Sequence, residues 1–251
     1  MNLLACDIGN TSVELGLYKG KRLKRSLRLP TKSFHKGFGR RFRAAFGRVP
    51  VDSAAIASVV PHAAVRLERL LRRALKKPVR LIGRDLKPPI RNRYRDPRQV
   101  GMDRLMNAVA FHRKYHRFGV VVDFGTAVTF DVVAQNGEYL GGVIAPGIEI
   151  SIEALYRKTA LLPRINLVGA TRRVAPTPII GRNTTEAIRA GCSYGIGGLC
   201  ERIIAEIGKA YRRKPFVVAT GGYARYMAGY CRGIDRLEPN LVLEVIRLTA
   251  S

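Results

Sequence analysis

Two short stretches set far apart in this 251-residue chain carry the same pattern, and a chain that repeats it has few folds open to it. In Gly119–Val133, GVVVDFGTAVTFDVV, the valines Val120, Val121 and Val122 run into Asp123. Gly125 then turns the chain, and Thr126, Thr129 and Asp131 lie on the way back. Near the start, Leu3-Leu4-Ala5-Cys6 runs into Asp7, followed by Gly9, Asn10, Thr11 and Ser12, and then Val13 to Tyr18. An apolar run, a glycine and an alternating run read as strand, tight turn and strand. A carboxylate at a strand end beside such a turn suits a polyphosphate. Backbone N–H groups and small hydroxyls approach the phosphates, and the carboxylate handles the cation. The copies align as Asp-x-Gly-[Asn/Thr], which predicts an internal duplication, with two similar sheets facing each other across a nucleotide.

The intervening sequence fits two α/β halves. Asn2 to Asp7, Ser12 to Tyr18 and Leu23 to Leu29 form a meander, turned at Lys19-Gly20. Lys32 to Gly47 places Phe34, Phe38, Phe42 and Phe46 near helical spacing among basic residues, a basic amphipathic helix packed through its Phe stripe. Val51 to Val60 is a strand, Pro61 opens a helix, and Pro78 to Ile82 returns as a strand. Asp85 to Pro97 is a polar loop, and Met102 to His116 a helix. In the second half Tyr139 to Ala145 completes another meander. Ile148 to Lys158 and Thr184 to Arg212 are helical, the latter interrupted by Gly195, Gly197 and Gly198. Phe216 to Thr220 is a strand, and Leu241 to Leu248 a helix or last strand. Meanders followed by helices and further strands predict mixed sheets, not a purely parallel doubly wound sheet. The expected domains are 1–116 and 117–251.

Composition narrows the class. A hydrophobic content of 47% supplies a packed core, and the apolar runs are far shorter than the roughly 20 residues a membrane helix needs. Asp7 arrives too early for a signal peptide. These features predict a soluble, cytoplasmic protein. Cys6, Cys192, Cys200 and Cys231 lack metal-site spacing and read as buried free thiols, and the pair His112 and His116 as surface histidines. The net charge of +27 is the odd feature: Leu15 to Val51 contains twelve Lys or Arg, Arg48 among them, and no acidic residue. Such an excess attracts polyanions, including nucleic acid; a general Arg bias explains it as well.

Gly101-Met102-Asp103-Arg104 opens a helix after a Pro-containing loop. An acid there is favoured by the helix dipole, and it can also accept a proton from a hydroxyl; Arg104 can hold a carboxylate. The two Asp-x-Gly turns resemble the phosphate-binding motifs of the acetate kinase, sugar kinase, heat-shock chaperone and actin superfamily, in which ATP lies between two ribonuclease H-like domains. The resemblance narrows with GxDR at Gly101–Arg104, DFGTA at Asp123, Gly141 to Gly147, Ser58-Val59-Val60-Pro61, Thr159 to Pro163, Gly181-Arg182-Asn183-Thr184 and Thr220-Gly221-Gly222. These motifs, in order over nearly the whole chain, resemble type III pantothenate kinase. Val128, where the family more often has Thr, departs from the pattern, as does the basicity.

The resemblance implies ATP-dependent phosphorylation of pantothenate to 4′-phosphopantothenate, the first step of coenzyme A biosynthesis. It implies that Asp7, Ile8, Gly9, Asn10, Thr11, Ser12, Val13 and Glu14 cradle the ATP phosphates, with Asp7 near Mg²⁺ and Thr126 a further ATP contact. Tyr94, Gly101, Met102, Asp103, Arg104 and Thr184 would hold pantothenate, with Asp103 as general base. Asp123 would bind a monovalent cation, K⁺ or NH₄⁺. A homodimer completing the pantothenate site is implied. From the residues alone, Thr184 also reads as a helix N-cap, Asp131 as a strand-end carboxylate without a ligand, and the pairs Gly141-Gly142 and Gly221-Gly222 as turns or as room for an adenine ring. The alternative reading is a nucleic-acid-binding or transcription-accessory protein on the same fold.

Overall fold

The repeat seen in the sequence is a repeat of topology. In a computed structural model, which describes residues 2–47, 49–165 and 177–250, the chain builds two five-stranded sheets. Arg48 of the basic stretch lies outside the described residues. The first sheet holds β1 (Asn2–Ile8), β2 (Ser12–Lys19), β3 (Arg22–Pro30), β4 (Ser53–Ser58) and β5 (Val79–Leu81), in the order β3-β2-β1-β4-β5. The second holds β6 (Gly119–Phe124), β7 (Ala127–Val133), β8 (Tyr139–Pro146), β9 (Phe216–Thr220) and β10 (Arg236–Leu237), in the order β8-β7-β6-β9-β10. In both, the first three strands are an antiparallel meander, and the last two join it in parallel. The sheets are mixed, as the order of elements predicted.

Compact units comprise residues 1–114 with 241–251, and residues 115–240. In the first, one sheet face carries Leu4, Cys6, Ile8, Val13, Leu15 and Leu17, buried under α1 (Phe38–Phe46) and α2 (Pro61–Leu75). Phe38, Phe42 and Phe46 recur at four-residue spacing, so α1 buries one Phe stripe and exposes its arginines. The opposite face is lined by Ala5, Gly16, Ala55 and Ala57, small residues that let another helix come close. That helix is α7 (Leu241–Ala250), whose Leu243 lies against Gly16 and whose Ala250 carbonyl accepts from Arg80. The sequence grouped 241–251 with the second half. The apolar face of α7 instead belongs with the first unit, because that is where a sheet face stands ready to cover it.

In the second unit, Val120, Val122, Phe124, Val128 and Phe130 face α4 (Ile148–Lys158), α5 (Thr184–Ala210) and α6 (Ala224–Met227). Three expectations are corrected here. The glycines at 195, 197 and 198 do not interrupt α5, which runs 27 residues unbroken. Asn183, not Thr184, is the N-cap, accepting from the Glu186 N–H at 2.9 Å. Gly141 and Gly142 do not turn the chain but lie within β8, opposite Val132 and Asp131, beside a register shift. All four cysteines are free and buried. Among the described residues no helix is long and apolar enough to cross a membrane.

Candidate functional site

In the first unit the predicted residues gather where β1 and β4 end. Asp7 sits in β1 opposite Glu14 and beside Ala57. Glu14 pairs with Arg28 at 3.1 Å. The turn that follows is closed by Gly9 N–H to the Ser12 carbonyl (2.9 Å) and tied to Thr31, whose hydroxyl donates to the Gly9 carbonyl at 2.7 Å. Asn10 and Thr11 are exposed, as a phosphate-binding turn requires. Ile8 and Val13 point into the core, both 0% exposed, so within the predicted cradle they offer only backbone.

The Gly101-Met102-Asp103-Arg104 motif meets this end of the sheet. Val59 donates its N–H to the Ile8 carbonyl at 3.1 Å, and its side chain borders Gly101. Asp103 lies in the first turn of α3 (Met102–Tyr115), and its Oδ1 accepts from the Arg104 N–H at 2.8 Å. A methyl group on Gly101 would stand 2.5 Å from that same oxygen, so only glycine lets the carboxylate fold back here. Burial raises the Asp103 pKa above the ordinary carboxylate range, against the lowering effect of the Arg104 N–H and guanidinium. Arg104 is buried. Tyr94 is half-buried in the preceding loop, where its N–H donates to the Asn92 side chain. The result is a desolvated acid with raised basicity at a helix N-terminus, beside the end of a strand that carries another acid.

In the second unit Asp123 holds the equivalent station in β6. Its register neighbours on the same face are Thr129 of β7 and Thr220 of β9, which is followed by Gly221. Gly221 has φ +94°, and a Cβ there would fall 2.3 Å from Asp123 Oδ1 and 2.7 Å from the Phe124 backbone. The glycine after β9 is therefore a contact surface for the Asp123 carboxylate, a role its dipeptide alone does not reveal. Thr126 is in the turn between β6 and β7. Asp131 is not at a strand end: it lies inside β7, fully buried, and accepts from the Tyr139 hydroxyl at 3.1 Å and from Thr129 at 3.4 Å. Thr184 is exposed at the first turn of α5 and lines an open, almost wholly apolar cavity of about 720 Å³ between α4 and α5.

The donor sets fit hard cations. Among the described residues no three His, Cys, Asp or Glu converge. A single carboxylate with small hydroxyls nearby is what a cation needs when substrate phosphates and water supply most of its ligands. Asp7 and Asp123, the latter beside Thr129 and Thr220, each offer such a carboxylate.

Comparison with known proteins agrees with the geometry. Residues 3–206 match the family model described as type III pantothenate kinase. A type III pantothenate kinase of Anaeromyxobacter sp. (strain K) is 41% identical over 253 residues, covering 98% of this chain and 97% of the relative. Those of Geobacter sulfurreducens and Brevibacillus brevis are 38% and 39% identical over equal shares. Among solved structures, the ethanolamine utilization protein EutJ from Carboxydothermus hydrogenoformans superposes with a TM-score of 0.59 at 14% identity, covering 99% of this chain and 90% of that one. The inorganic polyphosphate/ATP-glucomannokinase of an Arthrobacter species superposes with a TM-score of 0.50, also at 14% identity, over 99% and 98%. These structural likenesses establish a shared fold. Nothing among the comparisons supports a nucleic-acid-binding protein in place of a kinase.

Proposed function

The chain belongs to the type III pantothenate kinase family, ATP-dependent enzymes of coenzyme A biosynthesis, and from that premise we propose that Asp103 is the general base that activates the primary hydroxyl of pantothenate. The observation that carries this assignment is the Asp103 carboxylate itself, folded back over Gly101 and raised in pKa by burial. Phosphoryl transfer needs alignment, charge neutralisation and removal of the hydroxyl proton as the new P–O bond forms. Asp103 takes that proton. Arg104 and Tyr94 hold pantothenate, with Gly101 and Met102 lining the pocket. The segment Asp7–Glu14 cradles the ATP phosphates through backbone N–H groups and the Asn10, Thr11 and Ser12 side chains, and Thr126 adds a contact. Mg²⁺ at Asp7 and K⁺ or NH₄⁺ at Asp123 would supply positive charge to the transferring phosphoryl group. The reaction runs in the cytoplasm, where ATP is abundant.

Asp103→Asn keeps the size of the side chain and removes the base. General-base removal lowers turnover by about 10²–10⁴, and that loss is the expected result in a coupled ADP-release assay with pantothenate. Near-normal turnover would overturn the assignment. Because burial raises the Asp103 pKa, the acid limb of kcat/KM should lie above the ordinary carboxylate range, activity falling as the base is protonated.

We also infer a homodimer. Leu161, Ile180, Ile179 and Ile144 of the second unit are 92%, 78%, 64% and 62% exposed, a display of large apolar groups that a monomer does not need. The same unit opens an apolar cavity lined by Leu155, Leu162, Thr184 and Ile188, and a second copy covering that cavity would reach the predicted pantothenate contact. Sedimentation equilibrium should return twice the 27.8 kDa chain mass, and a monomer at micromolar concentration would refute it.

A further inference from the structure

Thr184 follows an arm, residues 177–183, that is fixed at both ends. At the near end the backbone of Gly181 packs on α5, where a Cβ would fall 2.2 Å from the Ala187 nitrogen. The Asn183 side chain accepts from the Glu186 N–H at 2.9 Å, and Glu186 reaches back to the Arg182 N–H at 2.8 Å. This is a reciprocal cap, one residue longer than the usual box. It fixes the entry of the helix and the residues just before it.

The far end is held differently. Both backbone polar groups of Thr177 are taken by tyrosine hydroxyls. Its N–H donates to Tyr230 at 2.9 Å, and its carbonyl accepts from Tyr194 at 2.9 Å. The two rings meet edge-on with centroids 5.0 Å apart, and Tyr230 also lies 5.1 Å from Tyr226. Tyr226 shares a 2.6 Å hydrogen bond with Ser193 of α5. The backbone of Tyr230 is itself pressed onto α5 at Gly197, where a Cβ would stand 2.1 Å from the Tyr230 carbonyl oxygen. The glycine in mid-helix thus serves the clamp: it brings residue 230 close enough for its hydroxyl to reach Thr177. Between the two fixed ends the chain exposes Ile179 and Ile180. Nothing in the phosphoryl-transfer chemistry calls for this arrangement, yet two phenols from separate elements converge on one peptide unit either side of Thr177.

We propose that Tyr194 and Tyr230 are positioning residues for pantothenate: by clamping Thr177 they hold the arm leading to the capped Thr184 in one conformation, so that the surface around Thr184 meets substrate without an ordering cost at binding. The proposal rests on the reading of Thr184 as a pantothenate contact. Pre-organisation of this kind strengthens binding and leaves the chemical step alone. A lost phenol hydroxyl leaves one backbone group of Thr177 unpaired and the ring in place, so the arm loosens while the aromatic packing stays.

The test compares Tyr194→Phe, Tyr230→Phe and the double variant with Thr184→Ala in the full-length enzyme. Four quantities are read: KM for pantothenate, KM for ATP, kcat, and the rate of tryptic cleavage after the exposed Arg182 within the folded protein. In the double variant KM for pantothenate should rise about tenfold, with kcat and the ATP KM within about twofold. Cleavage after Arg182 should accelerate, and Thr184→Ala should raise the same KM without accelerating cleavage. If Thr184→Ala raises the pantothenate KM and the double tyrosine variant does not, the clamp has no part in substrate binding and the proposal falls. Equal rises in both KM values, or a collapse of kcat, would overturn it in favour of a general structural role. A pantothenate KM indifferent to Thr184→Ala would instead remove the reading beneath it, and cleavage after Arg182 would still report separately whether the hydroxyls hold the arm.

Discussion

Asp7 and Asp123 occupy the same station in two sheets of the same strand order, and their neighbours have diverged. The parallel strand beside Asp7 offers Ala57 and then Ser58; the one beside Asp123 offers Thr220 and then Gly221. Ser58 closes a local turn, its Oγ accepting from the Val60 N–H at 3.0 Å. Gly221, at φ +94°, lies against the Asp123 carboxylate and the Phe124 backbone. The first turn leaves Asn10 and Thr11 open to a ligand, and the second is braced from behind. The two sheets share one strand order, and single residues at equivalent positions leave one turn open and brace the other.

The sharpest way to break this comparison is to exchange the two residues for intermediates. Gly221→Ala puts a methyl group 2.3 Å from Asp123 Oδ1 at a backbone angle that side chains rarely adopt. Strain and overpacking each cost about 1–3 kcal/mol, so a loss of about 3–5 kcal/mol is expected. Ser58→Gly removes two half-buried local hydrogen bonds to Val60 and should cost about 1–2 kcal/mol. Urea unfolding of both variants measures the difference. Equal losses would mean that the two turns are braced alike and that the contact at Gly221 is slack.

This contrast also marks how far the sequence could be read. The Asp-x-Gly repeat, the two meanders, the Phe stripe of α1 and the helix opened by Asp103 were legible because each is local, set by spacing within a few residues. Gly221 was legible as a glycine but not as a wall for Asp123, since its partner is almost a hundred positions away. The same holds for Gly197, whose neighbour is the Tyr230 carbonyl, and whose helix therefore does not break where three glycines suggest it should. The helix α7 has a plain apolar face, but nothing in its own residues says which sheet it covers. Tyr194, Tyr226 and Tyr230 carried no signal at all, because a phenol becomes a clamp only when the fold brings a peptide unit to it. Thr184 and Asn183 are both residue types that cap helices, and spacing alone does not say which of two adjacent candidates the fold uses.

Charge separates the units in another way, and predicts a smaller effect. Residues 1–114 with 241–251 contain 29 Lys and Arg against 8 Asp and Glu, and residues 115–240 contain 16 against 10, so +21 of the +27 belongs to the first unit. Its few acids are correspondingly committed. Glu68 of α2 is buried and accepts from Arg84 at 2.8 Å and Arg72 at 2.9 Å, and its pKa is lowered, first by the Arg84 hydrogen bond. Asp85 is held down to about 2, again chiefly by Arg84. Both folded-state values lie below the ordinary ones, so the unfolded chain takes up these protons first. The stability they contribute is full above the ordinary carboxylate pKa of about 4 and is lost as the pH falls through the folded values. Protonation also strips negative charge from a unit already strongly positive, which adds self-repulsion. With pepsin at about pH 3, cleavage within residues 2–114 should therefore precede cleavage within 115–240, and added salt should slow the first more than the second through screening. Glu68→Gln should move the acid sensitivity of the first unit toward neutral pH without touching the second. Simultaneous cleavage of both units, or earlier loss of the second, would show that the charge imbalance has no bearing on which unit opens first.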